Sequence, residues 1–314
     1  MGRIFRHLAR YLVTLVVASI VIFVALRIVP GNPAEIALGV TATPDSVAAL
    51  EKTMGLDRPL LSQYFSWVGG MLTGDFGTSL TSGKDISPLV ADRLQVSLIL
   101  VSASMVLALL LAVPLGVWVA RRARHADGVA ITALSQVGIA IPSFLAGVLL
   151  VAVFAIQLGW LPPNGWVVPN QDFGGFLARL VLPVFALGIV QAAIMTRYVR
   201  SAILDVMNED FMRTARAKGL SVTQALWAHG LRNAALPVLT VTCLQMTSLL
   251  VGAVVIEKVF VIPGLGSMLL DSVTTRDLPT VQTIVMVLVL FAIVVNAAVD
   301  LTYTLVDPRT RRRA

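Results

Sequence analysis

Long apolar segments recur along this chain and are separated by shorter polar ones. Six of them contain about 20 or more mostly apolar residues, the length that an α-helix needs to cross roughly 30 Å of hydrocarbon. They lie near residues 9–29, 95–120, 130–158, 178–200, 235–257 and 281–305. The pattern therefore predicts an all-α polytopic membrane protein with six transmembrane helices.

The third apolar segment is longer than a single crossing requires. It contains Pro142, within the sequence IPSF at residues 141–144. Proline removes one backbone donor and its ring clashes with the preceding turn, so an uninterrupted helix is disfavoured there. We therefore expect an interfacial turn at the start of this segment and a kink at Pro142.

Residues 30–94, between the first two apolar segments, contain turn formers and more acidic than basic side chains. Their hydrophobic pattern predicts a short helix over 45–54 and an amphipathic helix over 60–72. We therefore predict a small extracytoplasmic domain between transmembrane helices 1 and 2. This organisation gives two domains, with the first helix and the extracytoplasmic cap in residues 1–94 and a five-helix core in residues 95–314.

The composition excludes most classes of soluble protein. The chain is 57% hydrophobic and 13% charged, whereas about 25% of the residues in an average soluble domain are charged. A single cysteine, Cys243, excludes a disulfide framework, and the three histidines have no cysteine or carboxylate at metal-ligand spacing. The sequence also lacks a Walker A motif. We therefore predict no catalytic site, no metal and no cofactor bound by this chain.

The cationic residues indicate the orientation of the predicted helices. Sixteen of the 24 Lys and Arg residues fall in the two tails, the second-to-third connection and the fourth-to-fifth region. These segments share one side of a six-helix protein, and positively charged segments favour the cytoplasm. Both termini are therefore predicted to be cytoplasmic. The net charge of +7 is mainly this orientation signal, and no basic face of a soluble module predicts nucleic-acid binding.

Residues 209–240 carry cations at nearly helical spacing between two apolar segments. Each cation would cost roughly 2.5 to 3.5 kcal/mol at the centre of a bilayer, so this stretch must lie outside the hydrocarbon. Gly219 then interrupts the helical pattern. The sequence predicts two short polar helices on the cytoplasmic face, one over about 208–218 and one from about Thr223. The cationic side chains are Arg213, Arg216, Lys218 and Arg232.

This stretch resembles the EAA loop in the membrane-spanning subunits of bacterial ATP-binding cassette importers. Arg213, Thr214 and Ala215 occupy the Glu-Ala-Ala positions six residues before Gly219, and Leu231-Arg232 and Leu236-Pro237 follow. Elsewhere the chain is similar to the dipeptide and oligopeptide branch of that family over nearly its whole length. The blocks that carry this resemblance are PGNPA at 30–34, GLDRPLLSQY at 55–64, GDFGTSL at 74–80, IPSF at 141–144 and EKVFVIPGLG at 257–266.

The resemblance implies a permease subunit of the bacterial cell membrane that has no ATPase activity of its own. The implied partners are a second homologous six-helix permease subunit, two ATPase subunits that bind ATP and Mg, an extracytoplasmic substrate-binding protein and the lipid bilayer. In an EAA-type loop at about 205–237, a cytoplasmic coupling helix would enter a groove on the ATPase, with Phe211, Met212 and Leu220 as anchors. The residues assigned to coupling are Phe211, Met212, Arg213, Thr214, Ala215, Arg216, Ala217, Lys218, Gly219 and Leu220.

Polar side chains within the predicted transmembrane helices usually face the interior of a bundle, because hydrocarbon cannot satisfy them. They are candidates for a translocation pathway, and hydrogen bonding between helices is the alternative role for each. The pathway candidates are Gln136, Gln191, Gln245, Asn296 and Asp300. The resemblance also implies a gate-like or re-entrant loop at 257–266, where proline and glycine permit a bend. Its candidates are Glu257, Lys258, Pro263, Gly264 and Gly266.

Three functions remain compatible with the sequence. The main hypothesis is the permease subunit of an ATP-driven, binding-protein-dependent importer of dipeptides or oligopeptides. The second keeps this machinery but imports nickel chelate, glutathione, haem or another small ligand. The third is an autonomous secondary transporter or channel, which would tend to show inverted repeats and broken helices with ion ligands. For the cations of 209–240 alone, the alternative role is binding to anionic lipid.

Overall fold

The computed structural model describes residues 2–28, 32–123 and 125–306, and these residues are almost entirely helical. A 3-10 turn occupies Gly39–Thr41, and π-helical turns occupy Val151–Gln157 and Leu226–Gly230. The α-helices are α1 Gly2–Ile28, α2 Pro33–Leu38, α3 Pro44–Met54, α4 Leu60–Thr73, α5 Ser87–Arg121, α6 Ala126–Ala140, α7 Ser143–Leu150, α8 Phe173–Met207, α9 Asp210–Ala217, α10 Val222–Ala225, α11 Leu231–Val259, α12 Leu265–Thr274 and α13 Leu278–Val306.

Five helices in the described residues are long and apolar enough to cross a membrane. A sixth crossing is present if the bent pair Ala126–Ala140 and Ser143–Gln157 forms one span. The five are Leu8–Ile28, Ser87–Arg121, Phe173–Met207, Val222–Val259 and Leu278–Thr302. Each predicted apolar segment therefore contains one of these helices or, in the third, the bent pair, and the protein is a multi-pass membrane protein.

The third predicted segment is broken at Pro142. Its two helices meet at an angle of 96°, and Pro142 directly precedes α7 in an extended conformation with φ −59° and ψ 135°. The bend is much sharper than an ordinary kink because Ile141 also leaves the helical region, with ψ 120°. This agrees with the restriction that proline places on the residue before it.

The chain divides into two compact units. The first unit comprises Met1–Val96 and Pro263–Val294, and the second comprises Ser97–Ile262 and Val295–Ala314. The predicted domain boundary after residue 94 lies close to the end of the first of these segments. Residues 263–294 belong to the first unit although they are distant in sequence. Long-range packing of this kind leaves no local signal in the chain.

The short helices of the first unit begin and end where their capping residues predict. The Thr43 side chain accepts a hydrogen bond from the Ser46 N–H and forms a capping box at the start of α3. Gly55, with φ 66°, ends the same helix in a left-handed conformation. Helices α3 and α4 match the two predicted helices within one residue at each end. The core of this unit contains Ile86, Val90, Leu265, Ile284 and Val287.

A buried carboxylate ties the loop after α4 to the start of α13. Asp277 is only 3% exposed. Its carboxylate accepts hydrogen bonds from Ser79 Oγ at 2.5 Å, from the Leu80 N–H at 3.1 Å and from Thr280 Oγ1 at 2.8 Å. Hydrogen bonds to an ionised group are stronger than neutral ones. Asp277 therefore holds the glycine-rich segment GDFGTSL, a role that the sequence did not predict.

In the second unit, α8 packs against α6, α7 and α11. The approach of α5 to α8 is close because Gly116 has no side chain. A Cβ atom at Gly116 would lie 2.6 Å from Val199 Cβ and 3.1 Å from the Thr196 carbonyl oxygen. Small residues allow such close approach between helices in membranes. This contact brings the C-terminal ends of α5 and α8 together.

Candidate functional site

A pair of short helices, α9 and α10, connects α8 to α11 at the place where the sequence predicts two polar helices. Helix α9 ends in a Schellman motif, with hydrogen bonds from Gly219 N–H to the Arg216 carbonyl at 2.9 Å and from Leu220 N–H to the Ala215 carbonyl at 3.3 Å. Gly219 has φ 93°, which a side chain would disfavour. A capping box between Ser221 and Gln224 then begins α10.

Helix α9 has one face buried in its own protein and one face exposed. Met212 is 1% exposed and Ala215 is 5% exposed. They pack onto the C-terminal part of α8 and the segment from α10 to α11, in a cluster in which half of the buried members are alanines. Its buried members are Ala120, Val199, Ala202, Ile203, Val206, Met212, Ala215, Ala225, Leu226 and Ala234. The exposed face carries Phe211, Arg213, Thr214, Arg216, Ala217 and Lys218.

These positions change the set of residues that a partner could contact. Phe211 is 37% exposed and remains available as an apolar anchor. Leu220 is half-buried against the cluster. Met212 is enclosed by its own chain, so it cannot also be an anchor in a partner's groove. The expectation for Met212 is corrected on this point, because helical spacing alone does not tell which face packs inward.

The exposed cations of α9 are weakly engaged within the protein. Arg213 Nη1 lies 3.4 Å from Asp210 Oδ1, one helical turn away, and both side chains are largely exposed. Such exposed pairs contribute little to stability. By contrast, Arg121 at the end of α5 donates a 2.8 Å hydrogen bond to Thr223 of α10. Arg121 therefore holds α10, whereas the cations of α9 are exposed and make only this weak pair with the described residues.

All five predicted pathway residues belong to the second unit, on four different helices. Gln136 lines a cavity of about 130 Å³ together with Arg197 and Arg200. Gln191 is buried, and its Nε2 has no hydrogen-bond partner among the described residues. Gln245 is half-buried on α11, and on α13 Asn296 is exposed whereas Asp300 is half-buried. Gln136 thus lies beside charged side chains, and the pathway role of all five stays a prediction.

The predicted gate segment contains a buried carboxylate at the end of α11. Glu257 is 1% exposed and accepts a 2.6 Å hydrogen bond from Ser97 Oγ of α5. The neighbouring Lys258 is exposed. Buried carboxylates need such hydrogen bonds because the desolvation of a charge is costly. Glu257 therefore fixes α11 against α5, and its role in gating stays a prediction.

The bend that follows does not use its glycines as expected. Val261 has φ 53°, whereas Gly264 has φ −95° and Gly266 lies inside α12. A left-handed β-branched residue is strained, and such strain persists only where surrounding contacts impose it. Here Ile262 N–H donates to the Glu257 carbonyl at 2.8 Å, and Gly165 N–H donates to the Phe260 carbonyl at 2.8 Å. Half-buried Pro263 then leads into α12.

Comparison with known proteins assigns this architecture. Residues 112–312 match the family described as "Binding-protein-dependent transport system inner membrane component", and residues 1–101 match the corresponding N-terminal family. The chain belongs to this family. It is therefore a permease subunit of a binding-protein-dependent transport system, embedded in the membrane by its apolar helices.

Curated members of the family resemble the chain along nearly its entire length. It is 36% identical over 308 residues to the probable peptide ABC transporter permease protein y4tP of Sinorhizobium fredii NGR234, with 98% of each chain covered. It is 38% identical over 294 residues to the oligopeptide transport system permease protein AppB of Bacillus subtilis 168, with 93% of each covered. It is 38% identical over 309 residues to the glutathione transport system permease protein GsiC of Salmonella choleraesuis SC-B67, with 98% of each covered.

Adjacent residues of α9 provide a test of its two faces. We predict that Met212→Ala lowers the free energy of unfolding by about 2 to 5 kcal/mol, because it removes a side chain from a closely packed core. We predict that Phe211→Ala lowers it by less than about 1 kcal/mol, because Phe211 lies at the surface. Denaturant unfolding of the purified full chain in detergent measures both. Equal losses for the two variants would contradict the assignment of the inward face.

Proposed function

We propose that this chain is the permease subunit of an ATP-driven importer of short peptides, and that α9 is its coupling helix. The observation that carries the coupling proposal is the division of α9 into a buried face and an exposed cationic face. A helix held in this way can transmit the movement of a partner to the helices beneath it. ATP would be bound and hydrolysed with Mg by two partner ATPase subunits.

The proposed orientation places α9, α10 and both chain termini in the cytoplasm of a bacterial cell. Helices α9 and α10 would share their side of the membrane with the C-terminal end of α5 and the loop after it, where Arg121 and Arg122 lie. Positive charge in short loops favours the cytoplasmic side. The segment containing Ser82 would then be extracytoplasmic, where a substrate-binding protein delivers its cargo. The remaining C-terminal cations, in residues 309–313, lie outside the described residues.

Cysteine labelling tests this orientation directly. Cys243 is the only cysteine of the chain, so a Cys243→Ser background permits single cysteines at chosen places. We predict that Ser82→Cys reacts with a membrane-impermeant maleimide on intact cells, whereas Arg122→Cys reacts only after the membrane is permeabilised. The opposite pattern at either position would reverse the orientation or change the number of crossings.

The apolar surface of the chain suits both lipid and a second permease subunit. Only 17% to 39% of the residues in the most hydrophobic window of each of the five spans are buried within the chain. The rest of this apolar surface must be covered by hydrocarbon or by other membrane helices. We propose that a homologous six-helix subunit covers part of it, so that the translocation pathway forms between two such chains.

Charge reversal on α9 tests the coupling proposal. We predict that Arg213→Glu with Arg216→Glu lowers ATP-dependent uptake by at least about tenfold. A surface that pairs with the two arginines would repel the two glutamates, and like charges weaken or misalign an interface. The variant should insert and unfold like the unmodified protein, since both side chains are exposed. Arg213→Lys with Arg216→Lys, which keeps the charge, is the matched control. Normal uptake and normal retention of the ATPase by the Glu variant would refute the coupling role.

The substrate class is proposed from the relatives, two of which are named for peptides and one for glutathione, itself a tripeptide. We expect the binding protein to select the ligand and the membrane cavity to be permissive, because tight binding along the pathway would slow release. The alternative is that the same machinery imports glutathione alone or another small ligand.

Competition uptake distinguishes these substrates and locates the selectivity. We predict that Gln191→Ala, Gln245→Ala and Asn296→Ala each change the rate less than about tenfold, the scale of one lost neutral hydrogen bond, and leave the ranking of dipeptides, oligopeptides and glutathione unchanged. Exchange of the binding protein should change the ranking. A reversal caused by one of these three substitutions would place a selectivity site in this chain. If the cells took up glutathione but none of the dipeptides or oligopeptides, the proposal of a general peptide importer would be wrong.

A further inference from the structure

The first unit contains a cavity of about 320 Å³ at one end of its membrane helices. Its walls come from the last turns of α1, from α4 and the loops around it, and from the first turns of α13. A volume of this size matches the lower range of ligand-binding pockets. The cavity lies at the level where two spans, Leu8–Ile28 and Leu278–Thr302, respectively end and begin. In a bilayer, this level is occupied by lipid headgroups.

Three residues that line this cavity each contain one buried donor atom that has no hydrogen-bond partner among the described residues. These atoms are Arg27 Nε, Trp67 Nε1 and Gln282 Nε2. Gln282 as a whole is only 6% exposed. Buried polar groups in proteins are nearly always hydrogen-bonded, so three unpaired donors around one cavity need an explanation. The arrangement fits a ligand that supplies several acceptor atoms.

The guanidinium of Arg27 is held firmly in this wall. Its Nη2 donates to Gln63 Oε1 at 2.5 Å, and Gln63 Nε2 donates in turn to the carbonyl oxygens of Leu56 and Arg58. The guanidinium also lies over the Phe23 ring, 4.8 Å from its centroid. These contacts fix the position of Arg27 and leave its Nε unpaired. A preorganised donor binds a ligand without first losing side-chain freedom.

The charges of the lining favour an anion. Arg27 and Arg58 contribute two positive charges, and Asp75 contributes one negative charge. The Asp75 carboxylate already accepts a hydrogen bond from the Gly77 N–H at 3.0 Å. Arginine recognises phosphate oxygens especially well, because its planar donors match their geometry. An indole N–H and an amide N–H add neutral donors beside the cation.

We propose that this cavity binds a phosphate group, supplied by the headgroup of a phospholipid. The lipid source follows from the position of the cavity at the ends of two membrane spans. Free inorganic phosphate offers the same oxygen atoms and is the second possible source. The site is independent of the transported substrate, so it does not depend on the peptide specificity proposed above.

Native mass spectrometry of the complete transporter complex tests this site. The probes are phosphatidylglycerol and a diacylglycerol with the same acyl chains, which lacks the phosphate. We expect the complex to retain phosphatidylglycerol and not diacylglycerol. Trp67→Phe should weaken retention about tenfold by removing one N–H donor to a charged group while keeping the aromatic ring. Arg27→Gln should weaken it further, because it removes the cation.

Trp160→Phe is the matched control, because Trp160 is exposed and also packs beside a phenylalanine, with ring centroids 5.9 Å apart. It should retain lipid like the unmodified protein. In a second arm, inorganic phosphate is added and the melting temperature of the lipid-depleted complex is measured. Suppose that phosphate raises the melting temperature, that Trp67→Phe abolishes this rise, and that the complex retains no phosphatidylglycerol. This result would support the phosphate site and assign its source to free phosphate. Equal retention in all variants, together with no effect of phosphate, would overturn the proposal.

Discussion

Hydrocarbon cannot form hydrogen bonds, and this single constraint governs where every polar group of the chain can lie. Long helices satisfy their backbone internally and cross the membrane with few charged side chains. Where the chain leaves helical structure, as at Pro142, the freed backbone groups must be paired elsewhere. The Pro142 carbonyl, for example, accepts hydrogen bonds from both Leu145 and Ala146 at the start of α7. The chain therefore resumes helical hydrogen bonding directly after the bend.

The same constraint explains why so much of the fold could be predicted from sequence. Apolar length marks the spans, and local chemistry marks the ends of short helices. Thr43 and Gly55 bound α3, and Gly219 ends α9, because caps and left-handed glycines depend only on residues nearby. The hydrophobic pattern predicted α3 and α4, and the chemistry of proline predicted a kink at Pro142, where the structure has a sharper bend.

Features that depend on distant partners could not be predicted. Asp277 meets Ser79 across 198 residues of sequence, and nothing near Asp277 indicates that its carboxylate is buried. The inward direction of Met212 depends on how α8 and α11 approach each other. The left-handed conformation of Val261 could not be predicted, because the expected bend rested on Pro263, Gly264 and Gly266. The observed turn is instead imposed on a β-branched residue by hydrogen bonds to Glu257 and Phe260.

The buried cluster on which α9 packs determines how a movement of α9 would reach the long helices. Alanines at 120, 202, 215, 225 and 234 allow α5, α8 and α11 to approach closely beneath the short helix. A close-packed cluster deforms little, since its side chains have no free volume in which to move. The π-helical turn Leu226–Gly230 shifts the register between α10 and α11 within this cluster, and π-turns are frequent at functional sites. If α9 is the coupling helix proposed above, a force applied to its exposed face would move the ends of α8 and α11 as one body, as rigid-body alternating access requires.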